Sequence, residues 1–132
     1  MKEPHQSAIS EATRENELYR RVIFTGEKSQ LVVMSIPPGT DVGAEVHPHV
    51  EQTLFFLEGS GRAVLNDSES EIKAGDVVVV TPGTKHNFIN TGDVALKIYT
   101  VYAPPNHIDG RVHKTKADAE ADTLDEEFGH RN

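Results

Sequence analysis

Residues 45 to 52 read Glu45-Val46-His47-Pro48-His49-Val50-Glu51-Gln52, and the rest of the chain is best read outward from them. On an extended strand, side chains two apart point to one face, so Glu45 and His47 project side by side. Pro48 offers no amide hydrogen to a ladder, so the chain can turn there and aim the amide oxygen of Gln52, at the start of the next strand, at the same point. His86 follows the turn Thr81-Pro82-Gly83-Thr84 and opens a later strand, where antiparallel pairing would set it opposite the first pair. Two imidazoles, one carboxylate and an amide oxygen suit one divalent transition metal (iron, manganese, nickel, cobalt or zinc), whereas calcium asks for more oxygen. Glu45, His47, Gln52 and His86 are therefore the candidate metal ligands.

Around this stretch the chain consists of short runs rich in Val, Ile, Phe and Thr, cut by Gly, Pro, Asn and Asp, which is the texture of an all-β sandwich or barrel. The pattern predicts strands over residues 21–25, 30–36, 43–47, 52–58, 61–65, 70–72, 76–80, 86–90 and 95–102, with turns at Thr25-Gly26, Pro37-Pro38-Gly39 and Pro82-Gly83. The unbroken apolar runs Val77-Val78-Val79-Val80 and Leu54-Phe55-Phe56-Leu57 predict strands covered on both faces, by a neighbouring sheet or subunit. Pro104 and Pro105 end the β region. The organisation expected is a polar N-terminal arm over 1–19, with a short helix or a docking role, a β-barrel over 20–103, and a tail over 104–132. Residues 114–128 favour helix by propensity, with a thin apolar stripe that predicts a surface helix or a loose tail.

A chain of 132 residues suits one domain. The net charge of -8, with no stripe of Lys and Arg, argues against a nucleic-acid partner. The absence of cysteine excludes disulfides, zinc ribbons and thiol catalysis, leaving nitrogen and oxygen to hold any metal, and it fits a reducing cytoplasm. The N-terminal residues have no apolar signal region, and no run of 18 apolar residues occurs. The expectation is a soluble, unprocessed, cytoplasmic protein without a membrane partner.

The spacing of these residues resembles the two motifs of the cupin superfamily. Gly39, five residues, Glu45-x-His47, four residues, Gln52, six residues and Gly59 match the intervals of the first motif. Gly75, Thr81, Gly83, His86 and Asn90 match those of the second, with its proline moved to Pro82. The family's first histidine is Glu45 here and its glutamate is Gln52, so the set keeps one carboxylate at a changed position. The ending Tyr99-Thr100-Val101-Tyr102-Ala103-Pro104-Pro105-Asn106 and the following His113-Lys114-Thr115-Lys116 are similar to small cupins labelled mannose-6-phosphate isomerase-like. The resemblance implies a double-stranded β-helix, the jelly-roll barrel, with a metal and a small-molecule ligand inside.

Other assignments stay open at this level. His47 and His49 could form the histidine pair in a shifted register, although no carboxylate follows His49 at the right interval. The four candidates could also form a hydrogen-bonded polar cluster without metal. Glu58, Asp41 and Asp93 read as turn or strand-end residues, and His5, His107, His113 and His130 as solvated side chains. Lys97 and Tyr99 share a strand face, either lining the barrel mouth or simply packing. The functions that fit are metal-assisted isomerase, epimerase or lyase chemistry on a small oxygen-rich (carbohydrate-like or carboxylate) substrate, an iron-dependent dioxygenase, or a non-catalytic small-molecule binding module. The apolar strand at 77–80 points to a homodimer.

Overall fold

The computed structural model describes residues 2–130. After a short helix α1 (Ile9–Glu15) come β1 (Arg20–Thr25), β2 (Gln30–Ile36), β3 (Glu51–Glu58), β4 (Ser60–Leu65), β5 (Ser68–Lys73), β6 (Val77–Val80), β7 (His86–Asn90), β8 (Leu96–Ala103) and β9 (Val112–His113). Two helices, α2 (Lys116–Ala121) and α3 (Thr123–His130), close the chain. Six strands form one antiparallel sheet in the order β6-β3-β8-β2-β1-β9, and three form another in the order β5-β4-β7. The two sheets enclose one core, as the resemblance implied: the fold is a double-stranded β-helix with short C-terminal helices.

Alternation of apolar residues puts the core between the sheets. Val32, Met34 and Ile36 from β2, Leu54 and Phe56 from β3, Phe88 from β7 and Leu96 and Ile98 from β8 are all buried there. The odd-numbered residues of β3 and β8 point the other way, and Phe55 stacks on Tyr99 across the outer face at 4.7 Å between ring centroids. Helix α1 covers one end of that outer face, packing over β8, β2 and β3, with Lys97 Nζ donating to Asn16 O and Arg14 paired with Glu58 at 3.4 Å. Lys97 and Tyr99 therefore do not line the barrel mouth. Their face is the outside of the sheet, and Tyr99 is packing.

Three expectations are corrected by backbone and packing. Residues 43–47 are not a strand: only Asp41↔Ile89 and Glu45↔His86 pair with β7, as isolated bridges. Gly43 takes φ 94° and Pro48 has no amide hydrogen, so a ladder here cannot run longer than one residue pair. Within the chain no second sheet covers the outer face of the valine strand β6, since Val77 and Val79 are 54% and 52% exposed at the edge of the large sheet. The tail is neither loose nor a single helix, because residue 122 interrupts it and β9 pairs with β1 through Arg20↔His113 and Arg21↔Val112.

Candidate metal centre and its cavity

The bridge Glu45↔His86 is what joins the first pair of candidates to His86. Glu45 N donates to His86 O at 3.0 Å and His86 N donates to Glu45 O at 2.9 Å, while Gly83 N donates to His47 O at 2.9 Å. The turn before β7 is thus tied to the segment after Gly43, and both imidazoles come to one place. One donor atom from each of Glu45, His47 and His86 lies within 4.8 Å of the others. Ligands about 2.1 Å from one ion sit roughly 3 to 4 Å apart, so small side-chain rotations suffice to fit these three donors to a metal.

Each donor is oriented by its surroundings. His86 is buried, and its Nδ1–H donates to Thr84 O at 3.0 Å, which leaves Nε2 with a lone pair. Burial is the largest influence on this ring and holds its pKa below the ordinary histidine value, so it is neutral, the form that binds metal. His47 lies with its ring 5.3 Å from His86, and its Nε2 meets Glu45 Oε2 at 3.1 Å. Burial pushes the Glu45 carboxyl up, but the His47 hydrogen bond and the charges of His47 and Arg20 outweigh it and leave the carboxyl below its usual range. The Glu45 side chain is nevertheless 43% exposed, because it stands at the open mouth of a cavity.

Gln52 faces the interior from β3, paired with Tyr102 on one side and Val80 on the other. Thr100 Oγ1 spends its own hydrogen on Thr53 O at 2.8 Å, so it must accept from Gln52 Nε2 at 3.2 Å, which orients the amide and leaves its oxygen as the available donor atom. His49 is exposed on the bend after Pro48 and lies outside the three-residue group. Asn90, the last motif residue, is structural: its Nδ2 donates to Ile36 O and Val94 O, both at 2.8 Å, and its Oδ1 accepts from Gly92 N.

The cavity beside Glu45 and His47 measures about 410 Å³, and its far wall comes from Arg20, Asn106, His107 and the C-terminal helices. Two histidines expected to be solvated are part of this construction. His107 is buried and donates from Nδ1 to Asp125 Oδ2 at 2.7 Å, and His113 is buried with Nε2 on Asp122 Oδ2 at 2.9 Å. Asp122 also receives Arg111 through two hydrogen bonds of 2.7 and 2.9 Å. The sequence signal that could have exposed this network is a pair of histidines six apart followed by a pair of aspartates three apart. That spacing becomes legible only once the tail is known to fold back on β1.

These features define a class before they define a relative: a double-stranded β-helix in which Glu45, His47 and His86 cluster, the first two of them in the wall of a cavity. A cupin domain model matches residues 32–102, and the chain belongs to the cupin family. It is 42% identical over 119 residues to the uncharacterized protein YrkC of Bacillus subtilis, covering 86% of this chain and 64% of that protein, so it spans a little under two thirds of the relative's length. A crystal structure of BH2720 from Bacillus halodurans superposes with a TM-score of 0.89 at 38% identity, covering 90% of this chain and 95% of that one. The oxalate-binding protein of Thermotoga maritima is 35% identical over 68 residues, which is 52% of this chain and 56% of that protein.

Proposed function

We propose that this cupin holds one divalent transition metal through Glu45, His47, Gln52 and His86, and acts on a small oxygen-rich substrate by isomerase, epimerase or lyase chemistry. The observation that carries the reading is the convergence of three donor atoms within 4.8 Å, two of them on residues in the wall of a 410 Å³ cavity. A bound divalent ion supplies Lewis acidity beside a carbonyl, which is the common need of these reactions. The chain's own residues do the rest. Thr84 O fixes the tautomer of His86, Gly83 N holds His47 in place through its backbone oxygen, and Val42 and Val46 add apolar side chains to the cavity wall. The isomerase-like subgroup suggested by the residues 99–116 is consistent with this reading, as is the name of the Thermotoga maritima oxalate-binding relative.

The same donors are two histidines and one carboxylate, the set used by many iron(II) oxygenases, which makes dioxygen chemistry the second reading. Elemental analysis of the purified protein and of His47→Ala is the decisive experiment. About one equivalent of metal is expected in the parent, with most of it lost in the variant. A parent that takes up no metal after reconstitution, or a variant that keeps it, refutes the site. Oxygen uptake by the iron-loaded protein then selects the second reading, and exchange of a substrate proton with solvent selects the first.

We also propose that the protein is a cytoplasmic homodimer that buries the exposed valines of β6. Among the described residues no helix is long and apolar enough to cross a membrane.

A further inference from the structure

Three buried side-chain atoms have no hydrogen-bond partner among the described residues: Arg20 Nε, Asn106 Oδ1 and His107 Nε2. All three belong to residues in the wall of the one cavity that adjoins Glu45 and His47. Arg20 is the most informative. It is only 7% exposed, yet it forms no ion pair with any described carboxylate. Its Nη1 donates instead to a ring nitrogen, His113 Nδ1, at 3.4 Å, and its guanidinium lies 5.3 Å from the centre of the Tyr19 ring. Glu45, whose carboxyl feels the Arg20 charge, makes no direct ion pair with it, so the buried guanidinium keeps an N–H without an acceptor, and an anion in the cavity would complete it.

Neighbouring groups narrow the anion. His107 gives its Nδ1–H to Asp125, so Nε2 is a bare acceptor, and Asn106 Oδ1 is a second acceptor beside it. Acceptors ask for hydroxyl hydrogens. Glu120, Asp125 and Glu126 share the wall and surround a single positive side chain with negative ones. One planar carboxylate matches the one guanidinium fork, and the carboxylates of the wall penalise every further negative charge on a ligand, which disfavours a dianion such as phosphate. The position is held firmly: a Cβ at Gly129 would come within 2.9 Å of Asn106 O, so α3 packs directly on the segment that carries Asn106 and His107.

We propose that the cavity takes a small hydroxy-monocarboxylate, with Arg20 pairing its carboxylate and His107 and Asn106 accepting from its hydroxyl groups. This rests on the reading of the cavity as the substrate site and specifies the substrate class. Calorimetric titration of the full chain with gluconate, glucose and inorganic phosphate, before and after metal removal with a chelator, tests it. Gluconate is expected to bind the parent and to bind Arg20→Gln about tenfold or more weakly. Glucose and phosphate are expected to bind poorly to both. If Arg20→Gln is unfolded by circular dichroism, Arg20→Lys takes its place, keeping the charge and losing the planar fork, with an intermediate loss expected. Equal gluconate binding by parent and variant, tighter binding of phosphate, or no gluconate binding at all overturns the proposal. Arg20-dependent gluconate binding in a protein that holds no metal would uphold this subsite and sink the metal reading, and a metal-loaded protein indifferent to Arg20 would do the reverse.

Discussion

His107 ties the cavity to the stability of the molecule through its proton. Burial is the largest influence on this imidazole, followed by the charge of Arg20, and together they push its pKa down to about 4 against the pull of Asp125. Between an ordinary value near 6.5 and that value, the unfolded chain takes up a proton that the folded chain refuses. Stability from this group is therefore complete above about pH 6.5 and falls as the pH drops toward 4, by on the order of 3 kcal/mol. His86, also held low by burial, adds in the same direction. Chemical denaturation from pH 7 to pH 4 should show this loss in the parent and a visibly shallower slope in His107→Gln, and parallel slopes would refute it. Below that range the lowered carboxyls of Asp41, Asp122 and Asp125 take over: their contribution is present above about pH 4 and is lost as the pH falls toward their folded values. At this scale the sequence was legible where spacing carries meaning. Glu45, His47 and His86 fall on the intervals of two sequence motifs that the barrel brings together through one bridge, whereas Arg20, Asn106 and His107 meet through a tail whose path no local pattern specifies.

Strands bounded by strong punctuation were the easiest elements to read. Pro37 closes β2 and Thr84 precedes β7, and both strands run over the residues expected, 30–36 and 86–90. The segment 43–47 has the composition of a strand but makes a single bridge, because a left-handed glycine stands on one side and a proline on the other. Strand β9 escaped notice because Val112 and His113 are two residues whose only signal is their partner, β1. Packing between elements has its own narrow point at Gly61, which pairs with Asn90 on β7 and Ile72 on β5. A Cβ there would sit 2.1 Å from Ile89 O, so β4 can approach β7 only without a side chain at this position. Gly61→Ala should cost about 3 kcal/mol or more in urea unfolding and loosen the Asn90 hub at the end of β7. A variant within 1 kcal/mol of the parent would show that the two strands can part without loss.

Taken as a whole, the molecule covers its inner faces well and one outer edge poorly. Helix α1 shields the Lys97 end of the large sheet, while the β6 edge presents Val77 and Val79 to solvent beside Phe55 and Tyr99. An edge strand with exposed valines invites pairing, and in the proposed dimer a second copy removes the hazard. Light scattering should give twice the chain mass for the parent and the chain mass for Val79→Lys, and a parent that stays monomeric at high concentration ends that proposal. The all-β architecture could be read from strand texture and motif spacing, but the exposure of this edge could not, since a run of four valines looks the same whether the second face meets a sheet, another subunit or water. The return of β9, α2 and α3 to the start of the barrel has a further meaning in time. During synthesis from the N-terminus, Glu45, His47, Gln52 and His86 emerge well before Asn106, His107 and Asp125, and His113, which holds Arg20, emerges among the last of the cavity's supports. Yet strand β8, which pairs with both β2 and β3 in the large sheet, ends only three residues before Asn106, so the barrel around the candidate donors and the far wall of the cavity come together at the same late stage.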